Sequence, residues 1–174
     1  MIKILNNPKT EKFKELKNLM LGSGFPWHWV SQSTCNLDTK GYDDFGYYSH
    51  IFLDRPDYTE NSFYSRVNSN KIDLVHTVLV EILKHNNITP QVFYRICANC
   101  THPTETNRMS VPHVDHYFPH SNLILYLTDP NGGETVVEKE KFLSKEDDVI
   151  VLKGEHHHRP PIKDRRIVIV STFI

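Results

Sequence analysis

Apolar residues recur at helical spacing in two stretches of the chain. From Thr10 to Met20, Phe13, Leu16, Leu19 and Met20 form one stripe, with Thr10 placed as an N-cap and Gly22 just past the end. From Lys71 to His85 the stripe is Ile72, Val75, Val78, Leu79 and Ile82, and Asn86, Asn87 and Pro90 stop it. Between them, Gly24 to Tyr64 is rich in aromatics, including Phe25, Trp27, Trp29, Tyr47, Tyr48 and Phe52, without a steady period. That mixture predicts short strands and long loops. Beyond Pro90 the period changes to two. Gln91 to Asn99 alternates, with Val92, Tyr94, Ile96 and Ala98 on one face, and Ser121 to Thr128 is a second strand ended by the turn cluster Asp129, Pro130, Asn131, Gly132, Gly133. Val149 to Leu152 and Ile167 to Ile174 complete the strand series.

Closely spaced strands led by two helices predict a mostly β protein with flanking α-helices, closed as a sandwich or barrel. The expected organisation is one domain over 1–174, with helices and supporting strands in 1–90 and the β core in 91–174. At 174 residues, 39% apolar and 24% charged, the chain is an ordinary globular sequence that buries roughly 70% of its unfolded surface. Lys and Arg total 20 against 21 Asp and Glu. This balance offers no basic field for nucleic acid or an anionic membrane. No apolar run approaches the ~20 residues of a membrane helix, and no signal peptide is expected at the N-terminus. Three cysteines read as reduced thiols of a cytoplasmic protein. Cys97 and Cys100 have C-x-x-C spacing, but no second pair follows, so they read as buried thiols.

The chain holds 11 histidines, six of them between His113 and His158. His113, Val114 and Asp115 form an H-x-D arrangement; in extended chain, residues two apart share a face and lie ~7 Å apart. One neutral nitrogen and one anionic oxygen suit a divalent metal. A second histidine from a distant strand would complete the two-histidine, one-carboxylate set that leaves coordination positions open in non-haem Fe(II) oxygenases. Further on comes Gly154, Glu155, His156, His157, His158, Arg159, Pro160, Pro161, and Arg165 and Arg166 open the last apolar strand. An arginine entering a buried strand needs an anion, and a guanidinium fork suits a carboxylate. In the alternative reading both arginines flank a turn in solvent, which fits one of them better than both.

Taken in this order, His113 and Asp115, the run Leu125 to Asp129 with Gly132, Gly133, Glu134 and Thr135, a late histidine, and Arg166 followed by Ile167 to Phe173 resemble the Fe(II)- and 2-oxoglutarate-dependent dioxygenases, in their prolyl 4-hydroxylase-like branch. Thr128 stands where that family often has Asn. The resemblance covers about Gln91 to Ile174. It implies a double-stranded β-helix, a jelly-roll or cupin-like fold. It also implies Fe(II) held by His113, Asp115 and a late histidine, and 2-oxoglutarate held at its distal carboxylate by Arg166 with Tyr126 beside it. Dioxygen would be the co-substrate, succinate and CO2 the by-products, and hydroxylation of a peptide side chain or a small metabolite the outcome. The family's spacing to Pro160 and Arg166 fits His156, and that to Pro161 fits His157, while counting from Gly154 favours His158. Strand alternation puts His156 and His158 on one face. His156 is the preferred third ligand and His158 the alternative.

His102, His116 and His120, with Asn99, Arg108 and Arg159, are weaker candidates for the rim of the site. A rival reading is a non-catalytic cupin-like metal- or ligand-binding module. A zinc hydrolase lacks an H-E-x-x-H motif here. An exposed edge strand would support a homodimer.

Overall fold

The computed structural model describes residues 1–32, 41–56 and 64–174. Its elements are β1 (Ile2–Leu5), α1 (Glu11–Leu21), β2 (His28–Val30), β3 (Tyr47–Asp54), β4 (Arg66–Val67), α2 (Ile72–His85), β5 (Phe93–Thr101), β6 (Ser121–Tyr126), β7 (Thr135–Val137), β8 (Glu140–Phe142), β9 (Val149–Leu152), β10 (His156–His158) and β11 (Arg166–Phe173). Both helices fall where the apolar stripes place them. Thr10 accepts a hydrogen bond from the Phe13 N–H at 3.2 Å and donates its hydroxyl to Glu81 at 2.6 Å, so the cap also ties α1 to α2.

The strands form a large antiparallel sheet in the order β1-β9-β6-β11-β5-β3-β2, with β4 on β3, and a small one in the order β10-β7-β8. From β6 onward the chain alternates between them: β6 large, β7 and β8 small, β9 large, β10 small, β11 large. Two apposed antiparallel sheets wound in this way make a double-stranded β-helix. The N-terminal strands do more than flank this core, because β1 pairs with β9 and β3 pairs with β5 within the large sheet.

Strand alternation divides the large sheet into two faces. Ile96, Ala98, Leu123, Leu125, Val149, Ile167 and Ile169 point to α1 and α2 and build the main core with Leu16, Met20, Leu79 and Leu83. Ile124, Tyr126, Ile150, Leu152 and Val168 point the other way, toward Val137 of the small sheet. Where the small sheet stops short, that second face lines a cavity.

The alternation expected for Gln91 to Asn99 holds for Ile96 and Ala98 and fails nearer the start. Arg95 pairs with Thr172 but Phe93 pairs with Phe173, a β-bulge that leaves Tyr94 as the extra residue. Phe93 therefore enters the core while Val92 is 41% exposed. The short strands β1, β7 and β8 carry too few residues for a period to show, and the sequence does not announce them. Cys97 and Cys100 are buried free thiols whose pKa burial raises; Cys35 lies outside the described residues.

Candidate metal and cofactor site

His113 and Asp115 do not lie in a strand, contrary to the extended H-x-D expected. The segment touches the small sheet through a single antiparallel bridge, in which His113 and His156 exchange backbone hydrogen bonds of 3.0 Å in both directions. Ser110 repeats the contact lower down, donating its N–H to the His158 carbonyl at 2.7 Å. This lashing brings a loop and β10 together, and the ligand-type atoms of His113, Asp115 and His156 lie within 4.8 Å of one another.

The protonation of the two imidazoles follows from their partners. The Nδ1 of His113 lies 3.0 Å from the Val111 carbonyl, and that of His156 lies 3.2 Å from the Gly154 carbonyl. A carbonyl only accepts, so each Nδ1 carries a proton, and Nε2 is the nitrogen left to offer a lone pair to a metal. Burial lowers the His156 pKa and holds it neutral. Its Nε2 lies 3.6 Å from Asp115 Oδ2, which is buried and has no hydrogen-bond partner. Burial is the largest single influence and opposes the Asp115 charge, but Arg95, whose Nη1 sits 3.3 Å from Oδ1, together with His156, His113 and Arg55 leaves the pKa below the usual carboxylate range. A lone pair facing a carboxylate oxygen across a dry gap is repulsive unless a cation lies between them. The donor set of two neutral nitrogens and one carboxylate is the one Fe(II) takes.

Arg165 lies in solvent and Arg166 is 3% exposed, so only one of the two flanks a turn. Arg166 Nη2 donates to Thr135 Oγ1 at 3.1 Å, and its guanidinium carbon lies 5.3 Å from the centre of the Tyr126 ring. Its Nε has no partner, and no carboxylate pairs with it among the described residues. Gly133 lets the arginine pass: φ is +68°, and a Cβ there would stand 3.1 Å from Arg166 Cδ. The Tyr126 phenol, whose pKa burial raises, bonds Thr135 Oγ1 at 2.7 Å. Thr135 lines the cavity and Tyr126, whose hydroxyl also contacts the guanidinium, stands behind it, so both hydroxyls lie beside Arg166 and that of the threonine of the Gly-Gly-Glu-Thr run faces the cavity. The sequence named that motif without showing that its last residue reaches the site.

His158 lies apart from the triad, toward Arg166. Ser110 Oγ accepts the His158 backbone N–H at 2.9 Å, so its own proton is free for His158 Nδ1 at 3.4 Å. That assignment leaves the His158 proton on Nε2, which is buried without a partner. Burial and then the Arg166 charge hold its pKa well below the ordinary histidine value. His157 points the other way, against Tyr42, as alternation requires. Thr128, in the place of the family's Asn, closes the strand end by donating to the Arg165 carbonyl and accepting from the Ile167 N–H.

The triad, Arg166, Thr135 and His158 all face one cavity of about 660 Å³, within the roughly 300–1,000 Å³ range of small-molecule sites. Asn99 faces the same cavity and accepts from the Ser49 hydroxyl at 3.0 Å. Arg159 is a clamp within the small sheet's loops, donating to Glu134 at 2.7 Å. His116 bonds Thr172 Oγ1 at 2.7 Å, and burial takes its pKa down to about 4. Trp27 packs on the core, Trp29 is 60% exposed, and Tyr47 alone of the aromatic group's Trp27, Trp29, Tyr47 and Tyr48 lines the cavity. Sequence reasoning passed over Arg55 and Arg95, which also line it. A charge in the middle of an alternating apolar strand was the available signal for Arg95.

Among solved structures the chain is similar to an oxidoreductase of the 2OG-Fe(II) oxygenase family from Burkholderia pseudomallei, with a TM-score of 0.68 and 14% identity over 92% of this chain and 78% of that one. It is also similar to a prolyl hydroxylase from Trichoplax adhaerens solved with a hypoxia inducible factor peptide fragment, at TM-score 0.58 and 13% identity over 99% and 83% of the two chains. A Pseudomonas putida prolyl-4-hydroxylase gives 0.52 and 10% over 99% and 91%. The fold is that of the 2-oxoglutarate, Fe(II) oxygenases. No protein-family model and no curated protein matches the sequence. Within that fold, no helix among the described residues is long and apolar enough to cross a membrane.

Proposed function

We propose that the protein is an Fe(II)- and 2-oxoglutarate-dependent dioxygenase that hydroxylates its substrate. The observation that carries this reading is the conjunction, in one cavity, of a two-histidine, one-carboxylate set with a buried arginine that has no counter-ion among the described residues. His113, Asp115 and His156 would hold the metal. Arg166 and Thr135 would hold the distal carboxylate of 2-oxoglutarate, with the Nε2–H of His158 as a further donor.

The bound metal and 2-oxoglutarate supply the oxidising chemistry, in which dioxygen is divided between the hydroxylated product and succinate, with release of CO2. The chain's own residues do the positioning. The Val111 and Gly154 carbonyls hold both imidazoles by Nδ1, which leaves Nε2 as the nitrogen that would bind the metal, and Arg95 holds the Asp115 carboxylate by Oδ1 with Oδ2 free. Tyr126 and Thr135 brace the guanidinium, which is already desolvated and so grips an anion strongly. Ile124, Val168 and Val170 give the cavity an apolar wall.

The test is turnover. Protein reconstituted with Fe(II) in air should convert 2-oxoglutarate to succinate and CO2 in equal amounts, slowly without substrate and faster with it. Absence of succinate, together with no rise in melting temperature on adding 2-oxoglutarate to the Mn(II)-loaded protein, would favour a cupin-like binding module instead.

A further inference from the structure

Arg55, at the end of β3, and Arg95, on β5, converge on Asp115 from outside the triad. Arg55 Nη1 donates to the Asp115 carbonyl at 3.3 Å and Arg95 Nη1 to its Oδ1, also at 3.3 Å. Each guanidinium has five N–H donors, and each contact occupies one of them at the long end of hydrogen-bond range. Among the described residues neither arginine has a sealed side-chain nitrogen without a partner, and both side chains line the cavity.

Two features separate this pair from the 2-oxoglutarate anchor. Thr101 and Thr172 are the register partners of Arg166 and Arg95, which places the two arginines six residues apart along the β5–β11 ladder, or ~20 Å of backbone. Between them run Asp115, His156 and His158, each close enough to feel its neighbour's charge. A five-carbon diacid held at Arg166 and at the triad therefore leaves Arg55 and Arg95 free. The charges do not balance either. The described lining holds three arginines, Arg55, Arg95 and Arg166, against one acid, Asp115. A divalent metal and a dianionic 2-oxoglutarate cancel each other and leave the excess in place. Asp54 acts on both arginines from outside the cavity lining and offsets part of that excess, but its oxygens are engaged by the Arg55 backbone N–H at 2.9 Å and by Arg66 at 3.6 Å rather than by either guanidinium.

We infer that the prime substrate carries an anionic group, a carboxylate or a phosphate, which Arg55 and Arg95 grip so that the reacting carbon lies over the metal. The inference rests on the oxygenase reading and adds the substrate class to it. Tyr47, which lines the cavity close to Arg95 and Arg55, gives the uncharged body of such a molecule an aromatic surface.

The experiment uses the whole chain loaded with Mn(II) and 2-oxoglutarate, after a thermal shift has established that both bind. Probes are N-acetyl amino acids covering the common side chains, each as free acid and as neutral amide, and glycerol 3-phosphate paired with glycerol. The readout is Mn(II)-induced broadening of probe proton resonances, titrated to a Kd. Acids, or the phosphate, should bind at least tenfold tighter than their neutral partners, and the preferred series tells carboxylate from phosphate. Arg55→Gln should erase that preference and Arg55→Lys should recover part of it, with the 2-oxoglutarate Kd of both variants within twofold of wild type. Equal binding of charged and neutral partners, broadening by no probe, or a preference that survives Arg55→Gln would overturn the inference while leaving the oxygenase reading intact. Failure of the initial thermal shift would take both.

Discussion

Replacing Arg166 by Met tests the site at its most exposed assumption, that the buried guanidinium awaits a ligand. In the free protein the substitution removes one charge-assisted bond to Thr135, worth roughly 1.5–3 kcal/mol, but Thr135 keeps its 2.7 Å partner Tyr126 and no polar atom is orphaned. Against that loss, an unpaired cation leaves a dry environment, and exchanging buried ions for apolar residues is neutral or stabilising by about 1–4 kcal/mol. The melting temperature without ligand should therefore hold or rise. Ligand binding should respond in the opposite direction. A truncated partner of a buried charge pair costs about 2–5 kcal/mol, which is roughly thirtyfold to several thousandfold in Kd. The assay is thermal unfolding of the Mn(II)-loaded protein with and without 2-oxoglutarate at about a hundred times the wild-type Kd. Wild type should gain about 2.7 kcal/mol, a shift of roughly 5–11 °C at this chain length. Arg166→Met should gain almost nothing. A variant that keeps the full shift refutes the anchor. One that loses 3–5 kcal/mol of ligand-free stability shows instead that the guanidinium already has a structural counter-ion.

The two candidate histidines separate cleanly: His156→Ala should abolish Mn(II) binding followed by electron paramagnetic resonance. His158→Ala should leave it intact and weaken 2-oxoglutarate by about ten- to a hundredfold, the loss of one bond to a charged group. Gly133→Ala forces a side chain into φ +68° and against Arg166; denaturant unfolding should show a loss of about 1–2 kcal/mol, and calorimetry a weaker 2-oxoglutarate Kd. His50 sets an acid limit on stability. Its Nδ1 donates to the Pro26 carbonyl at 2.8 Å, its Nε2 lies 2.9 Å from the Ser69 hydroxyl, and burial lowers its pKa below 6.5. The unfolded chain then binds the extra proton first, so stability falls as pH drops below about 6.5 and on toward the lowered folded value. Melting temperature against pH should flatten in that window in His50→Gln, and an unchanged slope would assign the acid lability to other groups.

The helices and the long strands were legible because each has one dry face and enough residues to show a period. Thr10, Phe13, Leu16 and Met20 specify α1 locally, and Ser121 to Tyr126 alternate between helix-facing leucines and the opposite face. The His113, Asp115, Arg166 constellation could be named because side-chain chemistry is written in residue types. Sequence alone could not say which histidine of three joins His113. That choice rests on one backbone bridge between a loop and β10, which aligns His156 with His113 and carries His158 two residues on toward Arg166. Nor could it add the Thr135 hydroxyl to Tyr126 beside Arg166, since the order of those groups depends on how two sheets face each other across β6 and β7. Arg55 and Arg95 lie 40 positions apart in the chain, and only the pairing of β3 with β5 makes them neighbours. The sequence thus determined which chemical groups were present and which faces would be dry, because those are local properties. Distance, protonation and charge balance are set by residues remote in the chain, and the packed sheets decided them.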